Sequence, residues 1–327
     1  MSIDREALDI LRCPVTGQRL HAVGENEILT EGGEYRYPII DGIFVLLQGK
    51  DRGDWSEEKS TVQQFYEEFG WHSSPSGGYN DSARFVCSAS TPRHYTERCN
   101  LKINSLLPFK GKYLLDAGCG PIPHPEYMTF HEKFYRRVCV DFSLAALLHA
   151  RKKLGNKGIY VLADLTRLPL AAGAVDGAVC CHALYHVPAD QQKQAFEEIA
   201  RVIAPGGRGV VVYHWDYSPL SWRLEKLFKM ISSVGKPPVP SRLQENAKRD
   251  MPTLYFHPHS YQWFASNNWS FRYRIACYRL IDNFMMSKYM GEGKIWRIIT
   301  WLLYAWQQVM PGFTGKHGLY PLIIIQK

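Results

Sequence analysis

The sequence predicts an α/β fold, a parallel sheet covered by helices on both faces, and three observations carry that expectation. Between Lys112 and Tyr213, short apolar runs alternate with amphipathic stretches of helical period, as in strands joined by right-handed helical crossovers. Three successive runs end in an aspartate, Asp116, Asp141 and Asp164, and the carboxyl ends of parallel strands are where such sheets bind ligands. The first run also opens into glycines at 118 and 120, which permit a tight turn and close approach of the backbone to a ligand.

Changes of texture divide the 327 residues into three regions. Residues 1–50 form a small ribbon-like unit: Glu6 to Leu11, the turn-rich Cys13 to Gly17, a strand over Tyr35 to Ile40, the turn Asp41-Gly42 and a strand over Ile43 to Leu47. So few residues bury only a small core, so this unit leans on its neighbour. Residues 51–111 are a linker followed by a helical cap, in which Val62, Phe65, Tyr66 and Phe69 recur at helical spacing before an aromatic, glycine-rich stretch from Trp71 to Tyr79. Residues 112–327 are the main domain. Its strands are expected at Tyr113 to Ala117, Arg137 to Asp141, Ile159 to Ala163, Val175 to Cys180 and Gly207 to Tyr213, and its helices around Glu126 to Tyr135, Leu144 to Leu154 and Gln191 to Ile203. A Pro- and Lys-rich insertion over about 215–269 follows. Then come a strand from Phe271 to Cys277, one or two helices over Asn283 to Val309, and a closing strand from Leu319 to Gln326.

A composition of 46% hydrophobic and 21% charged residues excludes wholesale disorder. Eight cysteines over this length form no dense disulfide framework, no leader pattern opens the chain, and a cytoplasmic location is the expectation. No run of about 18 uninterrupted apolar residues occurs, so a spanning helix is not expected. The net charge of +8 is unevenly spread: residues 1–213 hold 24 Lys and Arg against 25 Asp and Glu, whereas residues 214–327 hold 15 against 6, together with seven of the nine tryptophans.

The run Asp116 to Gly120, then Val140-Asp141-Phe142-Ser143, then Ala163-Asp164-Leu165 with Leu168-Pro169-Leu170, resembles the class I S-adenosylmethionine-dependent methyltransferases, in particular the type 11 group. So does Phe196 to Gly207, which is similar to that family's E-x-x-R-V-L-x-P-G-G signature. The resemblance implies a Rossmann-like sheet of order 3-2-1-4-5-7-6, with the insertion before strand 6 and Leu319 to Gln326 as the antiparallel strand 7. It implies S-adenosyl-L-methionine as cofactor and S-adenosyl-L-homocysteine as product. By position, Asp116, Gly118 and Gly120 would line the methionine end, and Asp141 would bind the ribose hydroxyls. Phe142 would cover one adenine face, Asp164 with Leu165 would address the adenine edge, and His182 would sit beside the sulfonium. The family places a small residue after the G-x-G, whereas this chain has Pro121-Ile122-Pro123.

Residues 1–48 resemble a second family, small proteins similar to the methyltransferase activator Trm112, through Leu8 to Val15 and Tyr37 to Ile43. Zinc-binding members would have C-P-x-C, but this chain has Thr16. One cysteine with His21 cannot supply the roughly four ligands of a structural zinc, so no metal is expected.

Methyl transfer is an in-line displacement that needs positioning and, for a hydroxyl or ammonium acceptor, a base. His186 and Tyr185, on the loop after the fourth strand, and His214, closing the fifth, are the expected catalytic groups. Tyr66, Trp71, Tyr79, Trp215 and His257 are the expected substrate contacts. A small-molecule or glycan acceptor, methylated on O or N rather than C, is the first reading. RNA methylation and a noncatalytic scaffold or activator are the alternatives, with nucleic acid disfavoured because the Lys and Arg are scattered rather than striped. The helical stretch from Ile295 to Trp306 is apolar on more than one face, which fits burial, a homodimer contact or peripheral contact with a membrane surface.

Overall fold

A computed structural model describes residues 3–47, 55–74, 78–83, 89–233 and 254–327. The strands are β1 (Leu20–Val23), β2 (Glu27–Thr30), β3 (Arg36–Ile40), β4 (Ile43–Val45), β5 (Gly111–Ala117), β6 (Phe134–Asp141), β7 (Gly158–Leu162), β8 (Val175–Cys181), β9 (Ile203–Val212), β10 (Arg272–Arg279) and β11 (Tyr320–Gln326). Among the described residues the α-helices are α1 (Arg5–Ile10), α2 (Glu57–Phe65), α3 (Asn80–Ala83), α4 (Ser90–Leu106), α5 (Leu144–Leu154), α6 (Gln192–Val202), α7 (Pro219–Ser233), α8 (Tyr261–Ser266), α9 (Asn283–Tyr289), α10 (Lys294–Val309) and α11 (Pro311–His317).

All eleven strands join one sheet, β1-β2-β3-β4-β7-β6-β5-β8-β9-β11-β10. From β7 onward this is the expected order 3-2-1-4-5-7-6, and the apolar run of β5 is buried from Tyr113 to Ala117, as befits a strand covered on both faces. The last two strands position the site. β11 pairs antiparallel with β9, and β10 pairs antiparallel with β11. Consequently β10 runs parallel to β5, and its final residues, Tyr278 and Arg279, reach the same edge as Asp116 and Asp141. Tyr320, at the start of β11, reaches that edge too.

The N-terminal unit continues the sheet. β4 pairs in parallel with β7, Phe44 opposite Val161, which covers an edge that would otherwise offer open backbone groups. Arg12 N donates to Pro169 O and Ala171 N to Ile10 O, both at 2.9 Å. Ala7, Leu11, Ile28 and Phe44 share one hydrophobic cluster with Leu115, Val138 and Val161.

Several elements differ from expectation. The predicted helix at Glu126 to Tyr135 is a run of 3₁₀ turns over Pro125–Lys133, and β6 starts at Phe134. Prolines at 121, 123 and 125 remove the N–H donors an α-helical start would use. The cap helix, whose Ser56 side chain accepts from Lys59 N, passes from α-helix into a π-helix over Tyr66–Gly70. Asn283 to Val309 divides into α9 and α10 around Gly291 and Gly293, the latter at φ 119°. Within the insertion, α7 and α8 are described, whereas its Pro- and Lys-rich middle, residues 234–253, and part of the linker, residues 48–54, lie outside the described residues. On α10, Thr300, Leu303 and Gln307 face inward, while Ile295, Ile298, Trp301 and Leu302 are each more than half exposed. Among the described residues, no helix is long and apolar enough to cross a membrane.

Candidate active site

The carboxyl ends of the strands open into one cavity of about 600 Å³, within the size range of small-molecule sites. Its floor is the glycine turn after β5. Gly118 and Gly120 have φ of 69° and 52°, and a Cβ on Gly118 would lie 2.5 Å from that of Ala183. Gly118 N donates to Val140 O at 2.8 Å, tying the turn to β6. The next residues depart from the family pattern and are held in place. Ile122 takes φ 53°, a strained value for a β-branched residue before proline, and Lys153 Nζ donates to Pro121 O and Ile122 O, both at 2.8 Å.

The three strand-end aspartates all line this cavity, in different states. Asp141 Oδ2 accepts from Gly120 N at 2.8 Å and Oδ1 from Ser143 N at 3.0 Å, so the same carboxylate shapes the glycine turn and keeps further lone pairs for hydroxyl donors. Burial pushes its carboxyl up to about 6, against the pull of those backbone donors. Asp116 pairs with the buried Arg137, whose Nη1 also donates to Tyr127 O at 2.7 Å. Burial raises its pKa and Arg137 opposes the rise. Asp164 accepts from Thr166 N at 2.9 Å and pairs with Lys59 of α2. Phe142 and Leu165 line the same end, and Gln63 Nε2 donates to Phe142 O at 3.1 Å.

The cap closes over this floor. Tyr66 and Trp71 both line the cavity and stack at 4.8 Å between centroids, with Trp71 against Gly120. His182 follows β8 at φ 62°, a conformation that non-glycine residues hold mainly where tertiary structure imposes it. Its Nδ1 lies 3.0 Å from the Tyr185 hydroxyl, and burial followed by the charge of Arg279 holds its pKa well below the usual histidine range. His186 Nδ1 lies 2.7 Å from Tyr255 O. A carbonyl can only accept, so Nδ1 carries a proton, and the neutral tautomer that fits this contact has its lone pair on Nε2.

Four expected residues are placed elsewhere, and these expectations are corrected. Trp215 is fully buried with its Nε1 donating to Gly315 O at 2.8 Å, so it is core rather than acceptor wall. Tyr79 stands edge-on behind Trp71, 6.1 Å away, outside the lining. His257 points outward and stacks on Tyr255, only its backbone N–H meeting Tyr185 O. His214 lies behind the rings of Tyr320 and Phe256, at 4.8 and 5.3 Å, and its buried Nδ1 has no hydrogen-bond partner among the described residues. Burial holds its pKa down at about 4.

The sequence reading missed other parts of the lining: Thr96, His124, Tyr127, Phe256, Arg279 and Tyr320 all line the cavity. The signal available was Tyr278-Arg279 at a strand end, the rule already applied to the aspartates. Asp116, Cys119 and Cys139 bring ligand atoms within 4.8 Å of one another, but Asp116 is committed to Arg137, whose charge opposes a cation there.

Comparison with known proteins divides the chain in the same way. Residues 115–211 match the family described as methyltransferase domain. An O-methyltransferase of Pyrenophora dematioidea is 30% identical over 118 residues, covering 35% of this chain and 43% of that protein. The chain thus spans less than half the length of that curated relative. The UPF0434 protein PSEEN1604 of Pseudomonas entomophila is 38% identical over 58 residues, 17% of this chain and 95% of that protein. Among solved structures, a complex between the Haloferax volcanii Trm112 methyltransferase activator and a methyltransferase aligns at TM-score 0.44 and 16% identity, over 72% of this chain and 90% of that one.

Proposed function

We propose that this chain, which carries a class I methyltransferase domain and belongs through its N-terminal segment to the UPF0434 family, transfers a methyl group from S-adenosylmethionine to a small acceptor at O or N. The observation that carries the reading is convergence: Gly118, Gly120, Asp141, Phe142, Asp164 and Leu165 line one end of the cavity, under a cap that ends in Tyr66 and Trp71. The residues fit the cofactor. Glycines whose Cβ positions are already occupied by neighbours leave backbone against the ligand, and Asp141 keeps lone pairs for two ribose hydroxyls. When bound, the cofactor supplies a sulfonium methyl group, and the acceptor's lone pair forms the new bond as the C–S bond breaks and its electrons return to sulfur.

The protein's task is to align the acceptor and receive its proton. His186 is the proposed base, since the Tyr255 carbonyl orients its ring with the lone pair on Nε2. Tyr185 shares the cavity wall, but burial lifts its phenol well above the ordinary value, so it serves as a hydrogen-bonding contact rather than a base. An enclosed wall of Tyr185, Phe256 and Tyr320 supports a small acceptor over RNA. The deciding experiment is calorimetric titration of S-adenosylhomocysteine, followed by a methyl-transfer screen with phenols, amines and sugars against RNA. Micromolar binding and transfer to a small molecule support the reading. A folded protein that binds no S-adenosylhomocysteine overturns it in favour of a scaffold.

The exposed apolar face of α10 supports peripheral contact with an anionic lipid surface. Trp222, Leu227 and Met230 on α7 are exposed beside it, the two helices meeting at Phe228 and Trp296, whose rings lie 6.1 Å apart. Exposed Arg223, Lys226, Lys229, Lys294 and Arg297 flank the patch, an arrangement that suits anionic headgroups.

A further inference from the structure

We infer that the acceptor carries an anionic group, a carboxylate or a phosphate, and that Arg279 receives it. The word acceptor rests on the methyltransferase reading; the anion site rests on the surroundings of the arginine.

Arg279 ends β10 at the ligand edge, lines the cavity and is only 2% exposed. The other two buried arginines are compensated: Arg136 pairs with Asp4 and Arg137 with Asp116. Among the described residues, Arg279 forms no ion pair with a carboxylate. Its Nη1 reaches neutral oxygens, Asn283 Oδ1 at 2.8 Å and Thr96 Oγ1 at 3.3 Å, and its Nε is buried without a hydrogen-bond partner among the described residues. The guanidinium lies 4.9 Å from the centre of the Tyr320 ring and also donates to the Tyr320 hydroxyl, another neutral oxygen. Asp282, the acid nearest in sequence, accepts Met285 N at 2.6 Å as the cap of α9.

The Tyr127 hydroxyl lines the same cavity, beside the Cys181 thiol. The uncompensated charge is felt by its neighbours: after burial, Arg279 is the leading cause that holds His124 down at about 4. A buried guanidinium without a counter-charge is costly, and buried charges are paired or coordinate a ligand. An anionic oxygen pair matches the guanidinium fork. The methionine carboxylate of the cofactor is the competing occupant, and the titrations with and without S-adenosylhomocysteine separate the two.

The test uses benzoate, phenyl phosphate and neutral benzamide, titrated calorimetrically into the full chain with and without saturating S-adenosylhomocysteine. The expected result is that at least one anion binds at least tenfold tighter than benzamide, the ranking of benzoate and phenyl phosphate showing which group is preferred. Arg279→Met should abolish that preference and leave S-adenosylhomocysteine affinity within twofold. Equal binding of all three probes, or binding of none, overturns the inference, as does a preference that survives in Arg279→Met. Loss of S-adenosylhomocysteine binding in a folded Arg279→Met protein also overturns it, by assigning the guanidinium to the cofactor. If the wild type binds no S-adenosylhomocysteine, the methyltransferase reading fails while the anion titrations still decide the site. If Arg279→Met does not fold, the wild-type comparison decides.

Discussion

Replacing Asp141 with asparagine turns one oxygen into an NH₂ group where both oxygens accept backbone N–H groups, from Gly120 at 2.8 Å and Ser143 at 3.0 Å. One of those donors then faces another donor, and an unsatisfied buried N–H costs about 1–3 kcal/mol. If the Gly120 side loses, the glycine turn relaxes away from its cradle; if the Ser143 side loses, the start of α5 loosens. The variant also removes the charge that strengthens a ribose hydroxyl bond, a contribution of about 1.5–3 kcal/mol for hydrogen bonds to charged groups. The ribose contribution alone predicts a loss of S-adenosylhomocysteine affinity of about 10- to 100-fold, read by calorimetry at pH 7.5, while the orphaned donor lowers the stability of the fold, with circular dichroism as the check. A pH series adds a second reading. The wild-type carboxyl sits at about 6, so wild-type affinity should fall as the pH drops below that value, whereas Asp141→Asn should be insensitive there. An Asp141→Asn protein that binds within threefold of wild type, or that keeps the wild-type pH profile, would refute the assignment.

Other predictions concern stability and surface. Arg137→Met leaves the Asp116 carboxylate buried and unpaired, so the denaturation midpoint should drop by the equivalent of about 3–5 kcal/mol, and Asp116→Asn in the same background should recover much of it. His124 and His214, both at about 4 in the folded chain, and His182, held well below the usual histidine range, contribute stability that is present above the ordinary histidine value of about 6.5 and lost as the pH falls towards 4. Asp141, raised to about 6, acts in the opposite sense over an overlapping range, but the histidines outweigh it. The unfolding free energy from urea titration should therefore be lower at pH 5 than at pH 7.5 by at least about 2 kcal/mol, and an equal or higher value at pH 5 would contradict this balance. Co-sedimentation with phosphatidylglycerol vesicles but not phosphatidylcholine vesicles is expected, and Ile298→Asp with Trp301→Asp should abolish it. Dimerisation through α10 without vesicle binding would identify a second copy as the occupant of that face.

Sequence legibility followed the range of each physical signal. The strand-end aspartates, the glycine turn and the strand order could be read because a buried parallel strand, its turn and the helix after it are local patterns. The errors arose where position along a strand was known but direction was not. His214 and Trp215 were both placed at the ligand edge because they follow β9, yet Trp215 turns into the core towards Gly315 and His214 stands behind Tyr320. His257 was credited for its residue type, although only its backbone meets the site.

The sequence by itself determined the sheet, the cofactor-type floor and the relationship of the first residues to a second family, because each rests on contiguous residues whose spacing repeats a local geometry. Tertiary structure alone decided that β4 would complete the edge beside β7, that Lys153 would clamp the proline loop, and that Arg279 would be a buried cation in the cavity wall. Arg279 is one of 39 basic residues in the chain. What distinguishes it is burial in that wall with no carboxylate partner among the described residues. That follows from the antiparallel pairing of β11 with both β9 and β10, which brings the end of β10 to the edge where the aspartates wait.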